Sequence, residues 1–134
     1  MGFLLDTSAL SESLRRQPRA LFMSRLNESA SHDLYTSTIC VMELRYGCAL
    51  KGDLELWNRI ERDILSLLTI LPFGVAEAVQ CGELLATLAK KGTPTGTEDM
   101  QIGATALVHH LTVVTFNTKH FQAITGLEVE DWLN

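Results

Sequence analysis

Four oxygen-bearing side chains could act together in this chain although they lie far apart in sequence: Asp6, Glu43, Asp99 and Asn117. Three carboxylates that met in one pocket would repel one another and raise one another's pKa unless a cation lay between them. Mg²⁺ or Mn²⁺ suits such a pocket, because these hard ions prefer oxygen ligands and Mg²⁺ keeps several waters. A metal-bound water, or a phosphate polarised by the metal, would supply the chemistry of phosphodiester hydrolysis.

Each of these residues also has an ordinary structural explanation. Asp6 follows the first apolar run and could simply cap the next helix, or Ser8 could do so in its place. Asp99 could be a first-turn helix acid, Glu43 a helix-surface glutamate and Asn117 a turn residue. Sequence spacing alone does not show that the four side chains converge.

The elements that would position these residues alternate along the chain. Strands are predicted at 3–5, 34–37, 69–73, 112–115 and 127–129. Helices are predicted at 8–15, 18–30, 38–50, 56–68, 75–91 and 97–110. Strands that alternate with helices predict an α/β fold with a parallel sheet covered on both faces. The carboxyl ends of such strands share one edge, where residues from distant parts of the chain can meet.

Two of the helices carry further local signals. The helix at 75–91 has an apolar side at spacings of three and four, formed by Val75, Val79, Gly82, Leu85 and Ala89. Gly92 is the residue expected to stop it. Thr97 can cap the next helix, which places Asp99 in a first turn that favours negative charge.

The overall composition fits one globular domain spanning residues 1–134. There are 11 Lys and Arg residues against 16 Asp and Glu residues, which gives a net charge of −5. This balance argues against binding nucleic acid by bulk electrostatics. It leaves room for an enzyme that meets RNA locally, through a metal ion and a few arginines.

The cysteines and the hydropathy pattern bear on the compartment. Cys40, Cys48 and Cys81 are odd in number and lack Cys-x-x-Cys spacing, which favours free thiols in a reducing environment. No apolar run approaches the length of a membrane span, and the start of the chain lacks the features of a signal peptide. We therefore expect a cytoplasmic protein.

Four segments resemble, in order and spacing, the motifs of the PIN-domain ribonucleases: LLDTS at 4–8, ELRYG at 43–47, DMQIGATA at 99–106 and VVTFNTKHF at 113–121. The segment GLEVEDW at 126–132 also resembles the end of the VapC-type toxins of bacterial toxin–antitoxin pairs. The likeness covers essentially the whole chain.

The resemblance implies a three-layer α/β/α PIN-like domain with a central, mainly parallel sheet. It also implies an acidic pocket that binds Mg²⁺ (or Mn²⁺) and cleaves RNA endonucleolytically. By position, Asp6, Glu43 and Asp99 match the principal acidic residues of the family, with Asp6 and Asp99 as the expected direct metal ligands. Asn117 falls where many members have Asp, which leaves open whether one or two ions bind.

Further roles follow from the same resemblance. Ser8 matches a small polar position that helps to hold the site, and Thr115 is a further supporting residue. In the mechanism that we expect, Glu43 or Asp99 orients the attacking water or takes its proton. Glu98 is not expected to face the same ion as Asp99, because adjacent helix positions point about 100° apart.

Basic residues near these motifs receive no catalytic role. Arg45 could touch a substrate phosphate or be an ordinary surface arginine. His109 and His110 fit a helix end, where they complement the dipole. His120 is close to Asn117 in sequence and could lie near the pocket.

The resemblance also implies partners besides RNA. VapC-type proteins form homodimers and are silenced by a small VapB-like antitoxin whose tail covers the acidic pocket. The acidity of the chain fits a basic antitoxin segment. The apolar stripes around Leu21-Phe22 and Leu56-Trp57-Ile60 are candidate contacts, or equally part of the core.

Two other functions compete with this interpretation. A catalytically inactive PIN-like protein, acting as an RNA- or protein-binding module, is favoured by Asn117. An aspartyl phosphatase of the haloacid dehalogenase type also begins with a strand that ends in Asp. That chemistry uses a second Asp two residues later, where this chain has Ser8.

Overall fold

A parallel five-stranded sheet forms the centre of the computed structural model, which describes residues 2–93 and 96–133. The strands are β1 (Phe3–Leu5), β2 (Leu34–Ser37), β3 (Thr69–Leu71), β4 (Thr112–Val114) and β5 (Val129–Glu130). They lie in the order β3-β2-β1-β4-β5, and each neighbouring pair is parallel. The predicted parallel α/β sheet is confirmed.

Six α-helices connect the strands within the described residues. They are α1 (Thr7–Ser13), α2 (Ala20–Glu28), α3 (Thr38–Lys51), α4 (Leu54–Asp63), α5 (Val75–Lys90) and α6 (Thr97–Val108). Short 3₁₀ turns follow α2, α4 and β4, at Ser31–Asp33, Leu65–Leu67 and Thr118–His120. None of these helices is both long enough and apolar enough to cross a lipid bilayer.

The two central strands are buried on both faces. Leu4 and Leu5 of β1 expose 0% and 1% of their surface, and Val113 and Val114 of β4 are fully buried. Successive side chains of a strand point to opposite faces, so helices must cover the sheet on both sides. These strands therefore lack the polar alternation of a half-exposed sheet.

The strand order contains a switch point between β1 and β4. From β1 the chain winds outward through β2 to β3, and it then crosses to the other side for β4 and β5. In open α/β sheets, ligands bind outside the carboxyl ends of the strands at such a point. Asp6 directly follows β1 at this edge, and Asn117 lies shortly after β4.

Aromatic packing fixes the segment that follows β4. Phe116 packs edge-on against Phe22 of α2, with ring centroids 5.6 Å apart. Trp132, 2% exposed, contacts both Phe22 and Phe3. The chain just before Asn117 is thus held against α2 and the core.

The structure corrects three details of the sequence prediction. The helix predicted to run to residue 68 ends at Asp63 and continues as the 3₁₀ turn at Leu65–Leu67. On α5 the predicted apolar side was wrong, because Val75 and Val79 are 82% and 58% exposed, whereas its buried residues are Glu77, Cys81 and Leu88. Gly96, not Thr97, is the N-cap residue of α6.

Candidate active site

A cavity of 280 Å³ lies at the carboxyl edge of β1 and β4. It is lined by residues from the ends of these strands and from α1, α3 and α6: Asp6, Thr7, Ser8, Glu43, Glu98, Asp99, Ile102, Asn117 and His120. The structure therefore brings together five of the six residues proposed for the site. The sixth, Thr115, is buried and lies 3.3 Å from Ser8 between their hydroxyl oxygens.

Asp6 both caps a helix and lines the cavity. Its Oδ1 accepts hydrogen bonds from the Ala9 backbone N–H, at 3.0 Å, and from the Ser8 hydroxyl, at 2.7 Å. Asp6, rather than Ser8, is therefore the N-cap of α1. Burial raises the pKa of Asp6 despite hydrogen bonds from Thr115, Ala9 and Ser8, and the charge of Asp99 adds to the increase.

Ser8 and Thr115 join the start of α1 to the segment after β4. The Ser8 hydroxyl oxygen accepts a hydrogen bond from the Phe116 N–H at 3.1 Å. Thr115 Oγ1 accepts one from the Asn117 N–H at 3.0 Å. These bonds hold the backbone of Asn117, an exposed residue, at the edge of the cavity.

Glu43 reaches the cavity from α3. Its Oε1 accepts a hydrogen bond from the Thr7 hydroxyl at 2.6 Å, which links α3 to α1. Burial is the main reason that the pKa of Glu43 is raised, opposed by the Thr7 bond and reinforced by the charges of Asp99, Glu98 and Asp6. Thr7 is a contact that the sequence analysis missed, although it is adjacent to Asp6.

Asp99 lies in the first turn of α6 and faces His120. Burial raises the pKa of Asp99, the charge of His120 opposes that increase, and Glu98 reinforces it. His120 Nδ1 is 3.2 Å from Asp99 Oδ2. His120 ends the 3₁₀ turn that follows Asn117, and no role was expected for it from the sequence. Glu98 is exposed and contributes charge at the cavity wall.

The other basic candidates lie away from the cavity. The Arg45 guanidinium carbon stands 5.3 Å from the ring centroid of Trp57, which identifies a cation–π contact on the surface. His109 Nε2 is 2.9 Å from Glu77 Oε2. Neither Arg45 nor His109 lines the cavity.

The donor set of the cavity fits a hard divalent cation. Across residues 2–93 and 96–133, no three His, Cys, Asp or Glu side chains are close enough together to enclose a metal ion by themselves. Mg²⁺ is usually held by one or two carboxylates and keeps several waters, so a closed cage is not needed. Asp6 and Asp99 supply such oxygen atoms, and burial raises the pKa of both more than the hydrogen bonds to Asp6 and the charge of His120 beside Asp99 lower it.

Comparisons with known proteins agree in fold and length. The PIN domain profile matches residues 3–127. The chain is 33% identical, over 98% of both chains, to a protein named tRNA(fMet)-specific endonuclease VapC from Salmonella typhimurium.

Two crystal structures also superpose over nearly the whole chain. The FitAcB structure from Neisseria gonorrhoeae gives a TM-score of 0.87 at 36% identity and 97% coverage of both chains. DNA-bound VapBC from Salmonella typhimurium gives a TM-score of 0.89 at 32% identity and 98% coverage of both chains. Both similarities extend well beyond the cavity.

Proposed function

Because the chain belongs to the PIN-domain family, we propose that it is a metal-dependent endoribonuclease that hydrolyses RNA phosphodiester bonds, and the toxin of a type II toxin–antitoxin system. One observation carries the proposal: Asp6, Glu43 and Asp99 line a single cavity at the switch point of the sheet, and each has a raised pKa. Perturbed carboxyl groups gathered in one cleft are typical of catalytic sites. The chain aligns with the endonuclease VapC over 98% of both chains and shares the fold of the VapBC structure.

Asp6 and Asp99 are the proposed ligands for Mg²⁺ or Mn²⁺. PIN-domain nucleases generally use divalent metal ions. Such an ion, when bound, would polarise the scissile phosphate and lower the pKa of the attacking water. The hydrogen bonds from Ala9 and Ser8 orient the Asp6 carboxylate in advance of binding.

Glu43 is the proposed residue that orients the attacking water or takes its proton, with Asp99 as the alternative. The Thr7 hydroxyl fixes one of its oxygens, so the carboxylate has a defined direction. Its raised pKa moves it toward the range in which a carboxylate is an effective general base. Asn117 and the supporting pair Ser8 and Thr115 complete the proposed site.

A VapB-like antitoxin is the proposed protein partner, with a basic segment over the acidic cavity. A second, larger cavity of 740 Å³ lies between α1, α2 and the segment after α4, and could take an apolar antitoxin segment. Phe22 of the first stripe lines this cavity but is 1% exposed and belongs to the core, whereas Leu21 beside it is 44% exposed. Ile60, from the other stripe, is 1% exposed and belongs to the core.

A homodimer is the proposed assembly. Met42, Tyr46 and Leu50 recur every four residues along one side of α3, and they are 51%, 66% and 73% exposed. An apolar helix side of this kind suits contact with a second copy. We further propose that residues 1–134 form one PIN-like domain and that the protein acts in the cytoplasm, in keeping with three buried cysteines that are all free thiols.

The test is cleavage of total cellular RNA by the purified protein with Mg²⁺ or Mn²⁺, against a chelator. We expect discrete metal-dependent fragments that disappear with Asp6→Asn and persist with Glu83→Gln, a control at an exposed carboxylate on α5. Absence of cleavage by folded, antitoxin-free protein would overturn the proposal and favour the inactive binding module. Mapping the fragment ends would identify the target.

A further inference from the structure

A groove of 320 Å³ adjoins the acidic cavity and opens along α1, α3 and α4. The two share Thr7 and Glu43 in their walls, so the groove continues from the cavity. We call it the side groove and define it by Thr7, Arg15, Glu43, Gly47, Lys51 and Leu56. The proposed function assigns no role to most of it.

The side groove differs in charge from the cavity beside it. Arg15 follows α1 and Lys51 ends α3, so two cations lie in its walls. Both are exposed, and the Arg15 side chain pairs with Glu12, with 3.3 Å between Arg15 Nη1 and Glu12 Oε1. A guanidinium carries five N–H donors, which leaves donors for a ligand. In a chain of net charge −5, these two exposed cations are suited to phosphate groups, although the Glu43 carboxylate lies in the same groove.

The remaining wall of the side groove is apolar and open. Leu14, Leu44 and Leu56 line it together with the two cations. A Cβ atom added at Gly47 would meet nothing within 4 Å, so the space over this turn of α3 is free. Cationic groups beside an apolar surface suit a nucleotide whose base is unstacked, as in single-stranded RNA.

We propose that the side groove binds the single-stranded RNA next to the scissile phosphate. Arg15 and Lys51 contact backbone phosphates, and the apolar wall takes one unstacked base. The inference rests on the proposed function, because it concerns the path of the same RNA substrate away from the acidic cavity.

A charge-reversal pair tests the phosphate contacts. Binding of a labelled, mixed-sequence single-stranded RNA of about 12 nucleotides is measured by fluorescence anisotropy in a chelator, with Asp6→Asn protein that cannot cleave it. Adding Lys51→Glu should weaken RNA binding about tenfold or more. It should also reduce the slope of the logarithm of the binding constant against the logarithm of the salt concentration by about one. Lys90→Glu, at the exposed end of α5, changes net charge equally and should have an effect of about twofold or less.

A steric pair tests the groove without changing any charge. Gly47 and Gly82 both lie inside helices, and a Cβ at either would meet nothing within 4 Å. Leucine favours a helix more than glycine does, so neither replacement should impair folding. Gly47→Leu fills the side groove and should weaken RNA binding about tenfold, whereas Gly82→Leu on α5 should leave it unchanged.

The same variants in the active protein separate this inference from the proposed function. Lys51→Glu and Gly47→Leu should raise KM with little change in kcat, and they should keep the thermal stabilisation by Mn²⁺. If RNA is cleaved but each variant equals its control, the inference alone is wrong. If binding depends on Lys51 and Gly47 but no RNA is cut, the proposed function alone fails. Absence of RNA binding altogether overturns the inference.

Discussion

Carboxylates with nearly the same exposure in this protein have opposite electrostatic surroundings. Asp6 and Glu12 each expose 5% of their surface, and Glu77 exposes 7%. The pKa of Glu12 is lowered by the Arg19 backbone N–H and then by Arg15. The pKa of Glu77 is lowered by its own backbone N–H, and further by His109 and Gly74. The pKa of Asp6 is raised by burial.

The difference separates the acids that stabilise the fold from the acids of the proposed site. Glu12 contacts the N-cap residue of α2, and Glu77 links the start of α5 to His109 after α6, so each charge is compensated by the fold. The cavity acids have raised pKa values because their donors do not offset burial and mutual repulsion. Acids whose burial is not offset in this way support the proposed cation site.

Replacing a cavity acid should have the largest effect on function. We expect Asp99→Asn to reduce RNA cleavage by about 10²- to 10⁴-fold. It should also reduce the stabilisation by Mn²⁺, which for the wild type is about 2.7 kcal/mol at about 100 times Kd. Thermal unfolding with Mn²⁺ and with chelator measures the stability of the metal-bound and the metal-free protein. A variant that unfolded earlier in chelator would show that Asp99 is a structural acid.

Replacing a compensated acid should instead have its main effect on stability. Glu77→Ala leaves the Gly74 N–H and His109 without their partner, so we expect a loss of about 1–3 kcal/mol in the free energy of unfolding. Urea denaturation measures this loss, with Glu83→Ala on the same helix as an exposed control at about 0.5 kcal/mol or less. Cleavage per folded molecule should persist; its loss would contradict the division between the two groups.

The two groups should also respond to pH with opposite signs. The lowered pKa of Glu12 means that its charge stabilises the fold above the ordinary carboxyl pKa, and that this stabilisation is lost as pH falls through the lowered value. The raised pKa of Asp6 means that its charge costs free energy above the raised value. That cost vanishes as pH falls below the ordinary carboxyl pKa.

Paired substitutions measure these signs in chelator. Glu12→Gln should destabilise the protein by on the order of 1 kcal/mol at about pH 7 and by less at about pH 3. Asp6→Asn keeps a good N-cap and should be more stable than the wild type at about pH 7, with the difference closing at low pH. Urea denaturation at both pH values measures the free energy of unfolding of each variant and of the wild type. A pH-dependent difference of the same sign for the two variants would contradict the prediction.

Adding an acid to the cavity should produce the smallest effect. Asn117→Asp places a further carboxylate at the cavity, and we expect about threefold tighter Mn²⁺ binding, since ligand charge tunes affinity for hard cations. Titration calorimetry measures it, with Asn58→Asp on the exposed side of α4 as the control. Equal affinities for the two variants would mean that Asn117 does not face the ion.

The elements were largely predictable because their hydropathy patterns are unambiguous. The run at 3–5 and the strand at 34–37 were predicted with the bounds that the structure gives them. The side of α5 was not predictable, because apolar residues occur around much of that helix and Val75 and Val79 are as regularly spaced as the buried positions. Glu77, a buried acid, offers no hydrophobic signal.

The candidate site was only partly predictable. Asp6, Glu43 and Asp99 were identified by their resemblance to family motifs, and their convergence depends on the order β3-β2-β1-β4-β5, which alternation of elements does not specify. The contacts from Thr7 to Glu43 and from His120 to Asp99 join segments distant in sequence. Such side-chain pairing follows from tertiary packing and leaves no local pattern.

The two roles of Asp6, as the N-cap of α1 and as a proposed metal ligand, have a genetic consequence. Because its Oδ1 caps α1, an allele with Asn at this position keeps the cap and hence the fold, while losing the proposed metal ligand. In a cell that carries both alleles, the inactive chain would compete with the active one for the proposed antitoxin. Such an allele would therefore have a dominant effect. It would make its host more sensitive to the active chain, because the inactive chain would occupy the proposed antitoxin.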